Sequence, residues 1–114
     1  MSIALLLHCR SLEESRHFYQ ENLGFRIEEV NSDTILAQLD DVDIMLTRLN
    51  LWQMPAQMSG TVYISVVDVD ERFERYKDKA EVVWPLQDMP YGTREFAIRD
   101  CNTYILAFVQ KTPL

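Results

Sequence analysis

The chain states its own pattern twice, and that repetition limits what it can fold into more than any other feature. Ser11-Leu12-Glu13-Glu14 reads as a helix start, with the Ser11 hydroxyl placed to accept from the amide three residues on and Glu14 able to reach back. Asp68-Val69-Asp70-Glu71, 57 residues later, gives the same signal with Asp as the cap. An amphipathic stripe follows each start: Leu12, Tyr19 and Leu23 in the first, and Val69, Phe73, Tyr76 and Ala80 in the second. The pairs Leu12/Val69, Tyr19/Tyr76 and Leu23/Ala80 all keep the offset of 57, which is half of the 114 residues.

Strand-like runs precede the two helices, at Ile3–Cys9 and Gly60–Val67. Three more follow each: Phe25–Val30, Thr34–Leu39 and Val42–Leu49, then Glu81–Trp84, Arg94–Arg99 and Thr103–Val109. Here the offset reads as 60, pairing Leu36-Ala37 with Phe96-Ala97, Asp40 with Asp100 and Leu46 with Leu106. Asp40-Asp41 and Asp100-Cys101-Asn102 supply turn chemistry between paired strands. The predicted fold is α+β: a single domain over 1–114 made of two βαβββ modules, about 1–50 and about 59–114. Leu49–Ser59, with Trp52, Met54, Pro55 and Met58, connects them. A helix covers one face of each sheet and leaves the other uncovered. Two such half-barrel sheets, from one chain or from two, are expected to close around a concave cleft suited to a small ligand.

Composition removes several function classes. Eleven Lys and Arg against 18 Asp and Glu give a net charge of −7, which disfavours nucleic acid as a partner and favours neutral or cationic small molecules. Two cysteines, Cys9 and Cys101, build no disulfide framework and no CxxC zinc pair. Three glycines, Gly24, Gly60 and Gly92, exclude both GxGxxG and a phosphate-cradling P-loop. The apolar run Ile3–Leu7 is too short to span a membrane, and His8 and Arg10 follow it where a signal peptide would place small residues. A cytoplasmic protein is the expectation.

Ser15-Arg16-His17-Phe18-Tyr19 followed by Leu23-Gly24-Phe25, together with Tyr91-Gly92-Thr93-Arg94-Glu95-Phe96 and Arg99-Asp100, resembles the vicinal oxygen chelate superfamily over essentially the whole chain. That superfamily contains glyoxalase I, extradiol dioxygenases, and fosfomycin- and bleomycin-resistance proteins. Where its members often have Asp-Pro-x-Gly, this chain has Asp100-Cys101-Asn102-Thr103. The resemblance implies a homodimer. It also implies four strand positions that hold a divalent metal in the enzymes, and these fall on Ala4, Met45 or Thr47, Thr61 and Ala107. None supplies imidazole or carboxylate, so no metal and no other cofactor is expected. Asp40-Asp41-Val42-Asp43 fails as a calcium loop because Ile44 stands where Gly is needed.

The remaining candidates are weighed against structural roles. Cys9 and His8 are adjacent on a strand and point to opposite faces, so they form no nucleophile–base pair, and Cys9 reads as buried and apolar. Cys101 reads as an exposed thiol and His17 as solvated. His8 shares the face of Ala4 toward the cleft, as a general base or a wall residue. Trp52, Tyr63, Trp84 and Tyr91 are candidate stacking or wall residues, with His8, Asp43 and Glu95 as polar contacts. Trp52 reads equally as an interface residue and Trp84 equally as core, while Tyr91 closes a loop over Pro85–Pro90. Of the neighbours Glu95 and Phe96, one faces the cleft, and spacing leaves open which. The residues favour a non-enzymatic binder, similar to the bleomycin-resistance proteins, that sequesters a cationic or aromatic antibiotic-like molecule. A metal-dependent lyase, isomerase or oxygenase of the glyoxalase or dioxygenase type, and a dimeric module without a ligand, remain the alternatives.

Overall fold

Each half of the sequence folds as one four-stranded sheet with one helix. In the computed structural model, which describes residues 4–55, 57 and 60–111, the chain divides into Met1–Gln57 and Met58–Leu114. Expectations that rest on Ile3, Met58 and Ser59 lie outside the described residues. The first unit runs β1 (Ala4–His8), α1 (Leu12–His17), a π-helical turn (Phe18–Asn22), β2 (Arg26–Asn31), β3 (Thr34–Leu39) and β4 (Val42–Thr47). The second runs β5 (Thr61–Ser65), α2 (Val69–Tyr76), β6 (Glu81–Asp88), β7 (Thr93–Arg99) and β8 (Ile105–Lys111). The strand orders are β1-β4-β3-β2 and β5-β8-β7-β6, both sheets open. In each, the first strand pairs parallel with the last and the other pairs are antiparallel. The α+β class and the doubled βαβββ order therefore hold.

Local chemistry explains the elements. The Glu14 amide donates to Ser11 Oγ at 3.1 Å, Glu13 and Glu14 occupy the first turn, and Arg16 and His17 the last. Under α1, alternate residues Ile35, Ala37, Ile44 and Leu46 are fully buried, and Tyr19 meets Phe25 edge-on at 5.4 Å. Under α2, the cross-strand partners Phe96 and Phe108 stack at 5.3 Å, while Phe73 and Tyr76 close on them edge-on. Aromatic pairs of this geometry add roughly 0.5–1.5 kcal/mol each beyond the area they bury.

Several local expectations are corrected. Asp68 makes no side-chain cap: its carboxylate takes Arg72 Nε at 2.7 Å, one helical turn on, and the Val69 amide goes instead to Gln110 Oε1 at 3.0 Å. A cation within reach outcompetes a neutral amide for that carboxylate. The helix α2 ends at Tyr76, so Ala80 lies beyond it. Strand β6 does not stop at Trp84 but continues through Pro85 to Asp88, with register shifts on both sides of Trp84. Pro85 falls inside the second irregularity, where its missing N–H costs the ladder nothing. The loop over Pro85–Pro90 thus reduces to a tight turn in which the Met89 amide donates to the Thr93 carbonyl at 2.7 Å and Gly92 takes φ +88°.

The repeat is also re-paired. The ladders match Leu5–Ile44–Ala37 with Val62–Leu106–Ile98, and Leu7–Leu46–Ile35 with Ile64–Phe108–Phe96. The offset is therefore 57 on β1/β5, as on the helix starts, but 61 on β3/β7 and 62 on β4/β8 instead of 60. Phe96 corresponds to Ile35, not Leu36, and a one-residue slip reverses which face a side chain takes.

Candidate functional site

That slip decides the orientation of Glu95. With Phe96 under α2, Glu95 takes the opposite face of β7, along with Ala97. The register lines up Tyr63, Ala107, Ala97 and Trp84 as one row across β5, β8, β7 and β6. Two alanines thus stand between two large aromatic side chains. In the next row, Ser65, Val109, Glu95 and Gln87 are partners. Tyr63 is 59% exposed and Tyr91, in the β6–β7 turn, 64%, whereas Glu95 is 1% exposed. The Tyr91 hydroxyl donates to Glu95 Oε1 at 3.3 Å and the Thr93 hydroxyl to Oε2 at 3.1 Å. The Tyr91 phenol is raised above its ordinary pKa, first by desolvation of its hydroxyl end and then by Glu95, with Tyr63 adding to it. Trp84 is half-buried inside its strand; its Nε1 is buried and meets no acceptor among the described residues. The structure therefore brings Tyr91 and Glu95 into contact and sets Tyr63 and Trp84 on the same face.

On the first unit the corresponding face carries Ala4, Leu6, His8, Asp43, Met45 and Gln38. The His8 and Trp52 rings lie 6.1 Å apart at 37°, and Trp52 is 42% exposed. Asp43 accepts from Gln38 Nε2 at 3.0 Å, and Gln38 Oε1 accepts from Arg26 at 2.9 Å. His8 and Asp43 are not brought together: Ala4 is opposite Asp43 and His8 opposite Thr47, four residues along the pair, about 13 Å.

The ladders also show which of these positions are equivalent in the repeat: Ala4 and Thr61 by offset 57, and Met45, of the two alternatives Met45 and Thr47, with Ala107 by 62. The Thr47 hydroxyl is committed to Thr34, the Asp33 carbonyl and the Leu49 amide. Methyl, thioether and lone hydroxyl groups do not fit a hard divalent ion. Among the described residues, no three His, Cys, Asp or Glu side chains cluster as a metal site would require.

Cys9 is buried, as expected; Cys101 is half-buried, not exposed, because its turn is tightly organised. Asp100 Oδ1 accepts from the Asn102 amide at 2.9 Å and the Tyr104 amide at 2.7 Å, while Thr103 takes φ +74° where a glycine would be at ease. Thr93, Ala97 and Gln38 escaped the sequence reading as site residues. Strand alternation from Glu95 would have found the first two; Gln38 gave no signal of its own.

The family model "Glyoxalase/Bleomycin resistance protein/Dioxygenase superfamily" matches residues 3–108. Among solved structures, the chain is similar to TioX from Micromonospora sp. ML1 (TM-score 0.80, 22% identity, 100% of this chain and 98% of that one). It is similar also to a glyoxalase/bleomycin resistance protein/dioxygenase from Alicyclobacillus acidocaldarius (TM-score 0.79, 18% identity, 99% and 92%). A glyoxalase-related enzyme from Fulvimarina pelagi gives a TM-score of 0.76 at 19% identity, covering 97% and 88%. No curated protein matches. At these identities the likeness concerns the fold. Among the described residues, no helix is long and apolar enough to cross a membrane.

Proposed function

Since the chain belongs to the glyoxalase/bleomycin resistance protein/dioxygenase superfamily, we propose that it is a metal-independent binder within that superfamily, sequestering a small aromatic or cationic guest without transforming it. The observation that supports this most is the make-up of the sheet faces turned away from the two helices. At the four positions where the resemblance places metal ligands stand Ala4, Met45, Thr61 and Ala107. Around them stand Tyr63, Trp84 and, on the first unit, Trp52 beside His8. The exposed rings of Tyr63 and Trp52 offer stacking surfaces, and the four positions offer no acid–base pair or Lewis acid. The reading includes a homodimer, for which Leu49, Leu51, Trp52 and Met54 supply exposed apolar surface.

The test combines metal analysis with thermal unfolding against small aromatic compounds. Protein purified without chelator is expected to carry no stoichiometric Ni, Zn, Mn or Fe, and to melt higher with a bound aromatic compound. Saturation at a hundred times Kd adds about 2.7 kcal/mol. One metal ion per chain, with turnover on a glyoxalase- or dioxygenase-type substrate, would replace this reading; no shift with any aromatic compound would leave a dimeric module without a ligand.

A further inference from the structure

We infer that the outer edge of β2 takes an extended, basic segment of another protein as a fifth strand of the first sheet. β2 ends the order β1-β4-β3-β2, so among the described residues one of its sides faces no neighbouring strand. Such a side presents a row of backbone N–H and C=O groups. All of its residues but Ile27 are exposed, Val30 among them at 51%. The equivalent end strand of the second unit is guarded. β6 carries Pro85 and register shifts on both sides of Trp84, and its acids Glu81 and Asp88 are taken by Arg99 and Arg94. β2 has no proline, and its one irregularity falls between Glu29 and Asn31, so Arg26–Glu29 keeps a regular register with Gln38–Ile35. An edge of that kind is a template for a further strand.

Charge selects the occupant. Residues 1–57 hold four Lys and Arg against nine Asp and Glu, so most of the net charge of −7 lies in this unit. On β2, Glu28 is the cross-strand partner of Leu36 and Glu29 of Ile35, which puts the two acids on opposite faces. Glu29 takes Arg16 from α1 at 2.6 Å and its side chain stays 69% exposed. Among the described residues, the other ion pair of this unit is Arg48–Asp33, so Glu28 has no basic partner. Arg26 reaches across to Gln38 Oε1 on β3, at 2.9 Å. A second copy is a poor occupant. Antiparallel pairing of two β2 strands about their middle sets Glu28 of one against Glu29 of the other, and like charges facing across a ladder are destabilising. Lysine or arginine at those places reverses the sign, and the ladder itself supplies backbone hydrogen bonds.

The experiment uses the full chain, labelled for amide NMR, and three end-blocked peptides: Thr-Val-Lys-Lys-Val-Thr, its counterpart with Glu for both Lys, and the lysine peptide N-methylated at alternate residues. The lysine peptide is expected to shift the Arg26–Asn31 amides and slow their hydrogen exchange. It should bind roughly tenfold tighter than the glutamate peptide, a preference that shrinks at high salt. The N-methylated peptide, which has lost donors to the ladder, is expected not to bind. Glu28→Lys, at an exposed position, abolishes the preference and leaves the melting temperature unchanged. Absence of shifts on β2, equal affinities for the two charged peptides, or binding of the N-methylated one overturns the inference. So do β2 amides that shift with the chain's own concentration when no peptide is present, since the occupant is then a second copy. Strand addition and the binding of a small guest are read with separate probes, so either stands if the other fails.

Discussion

At Thr103 a β-branched residue holds φ +74°, a conformation that costs about 1–2 kcal/mol for an L side chain. Asp100 holds it there through the Asn102 and Tyr104 amides. Thr103→Gly is expected to raise unfolding stability by up to about 1 kcal/mol, the relieved strain exceeding the added freedom of the unfolded chain. Asp100→Ala is expected to lower it by about 2–3 kcal/mol, because two buried amides lose their acceptor. Chemical denaturation measures both; a stabilised Asp100→Ala would show that the turn does not depend on that carboxylate. Single residues were also where the sequence was least legible. The Asp100 turn was readable as turn chemistry, but the orientation of Glu95 was not, because a one-residue change in strand offset reverses it and composition carries no record of such a change.

At the scale of elements, the two helix starts look alike in sequence and differ in physics. Ser11→Ala is expected to cost about 1 kcal/mol, since the Glu14 amide loses its acceptor. Asp68 instead orders Arg72, whose Nη1 donates to the Tyr76 hydroxyl at 2.8 Å. Burial raises the Tyr76 phenol above its ordinary value of 10.0, with Arg72 next and pulling it down. A phenol whose pKa is raised by folding holds its proton more tightly in the folded state. Its contribution is complete below the unfolded value and is lost as pH rises through the folded one. Urea unfolding between about pH 8 and 11 is expected to show stability falling above pH 10, more steeply in the native protein than in Tyr76→Phe; identical profiles would remove Tyr76 from the account. Helix starts, strand order and most strand cores were legible because period-2 and period-3.6 patterns depend on burial. The longer β6 was not, because Pro85 and Trp84 read as a strand end and only the ladder irregularities around them keep the strand going.

For the whole molecule, the doubled βαβββ order is legible in the sequence, since two copies of one pattern must repeat their caps and apolar stripes. Assembly was not, because an exposed apolar connector has the same composition whether or not a second chain covers it. The homodimer proposed above predicts two chains per particle in sedimentation. Leu51→Asp, at a residue 60% exposed, is expected to shift the particle toward one chain with little change in unfolding stability. A native protein that sediments as one chain at all concentrations would refute it.

The growth of the repeat offset from 57 to 61 has a numerical outcome. All four added residues lie between the first strand and the third of the later copy, the stretch that supplies Tyr91, and the earlier copy has Ile35 and Ala37 where the later has Phe96 and Ile98 and no acid matched to Glu95. An undiverged duplication would offer two equivalent berths per polypeptide. Here the two copies differ, so the binding function proposed above predicts a titration that saturates at one equivalent per chain.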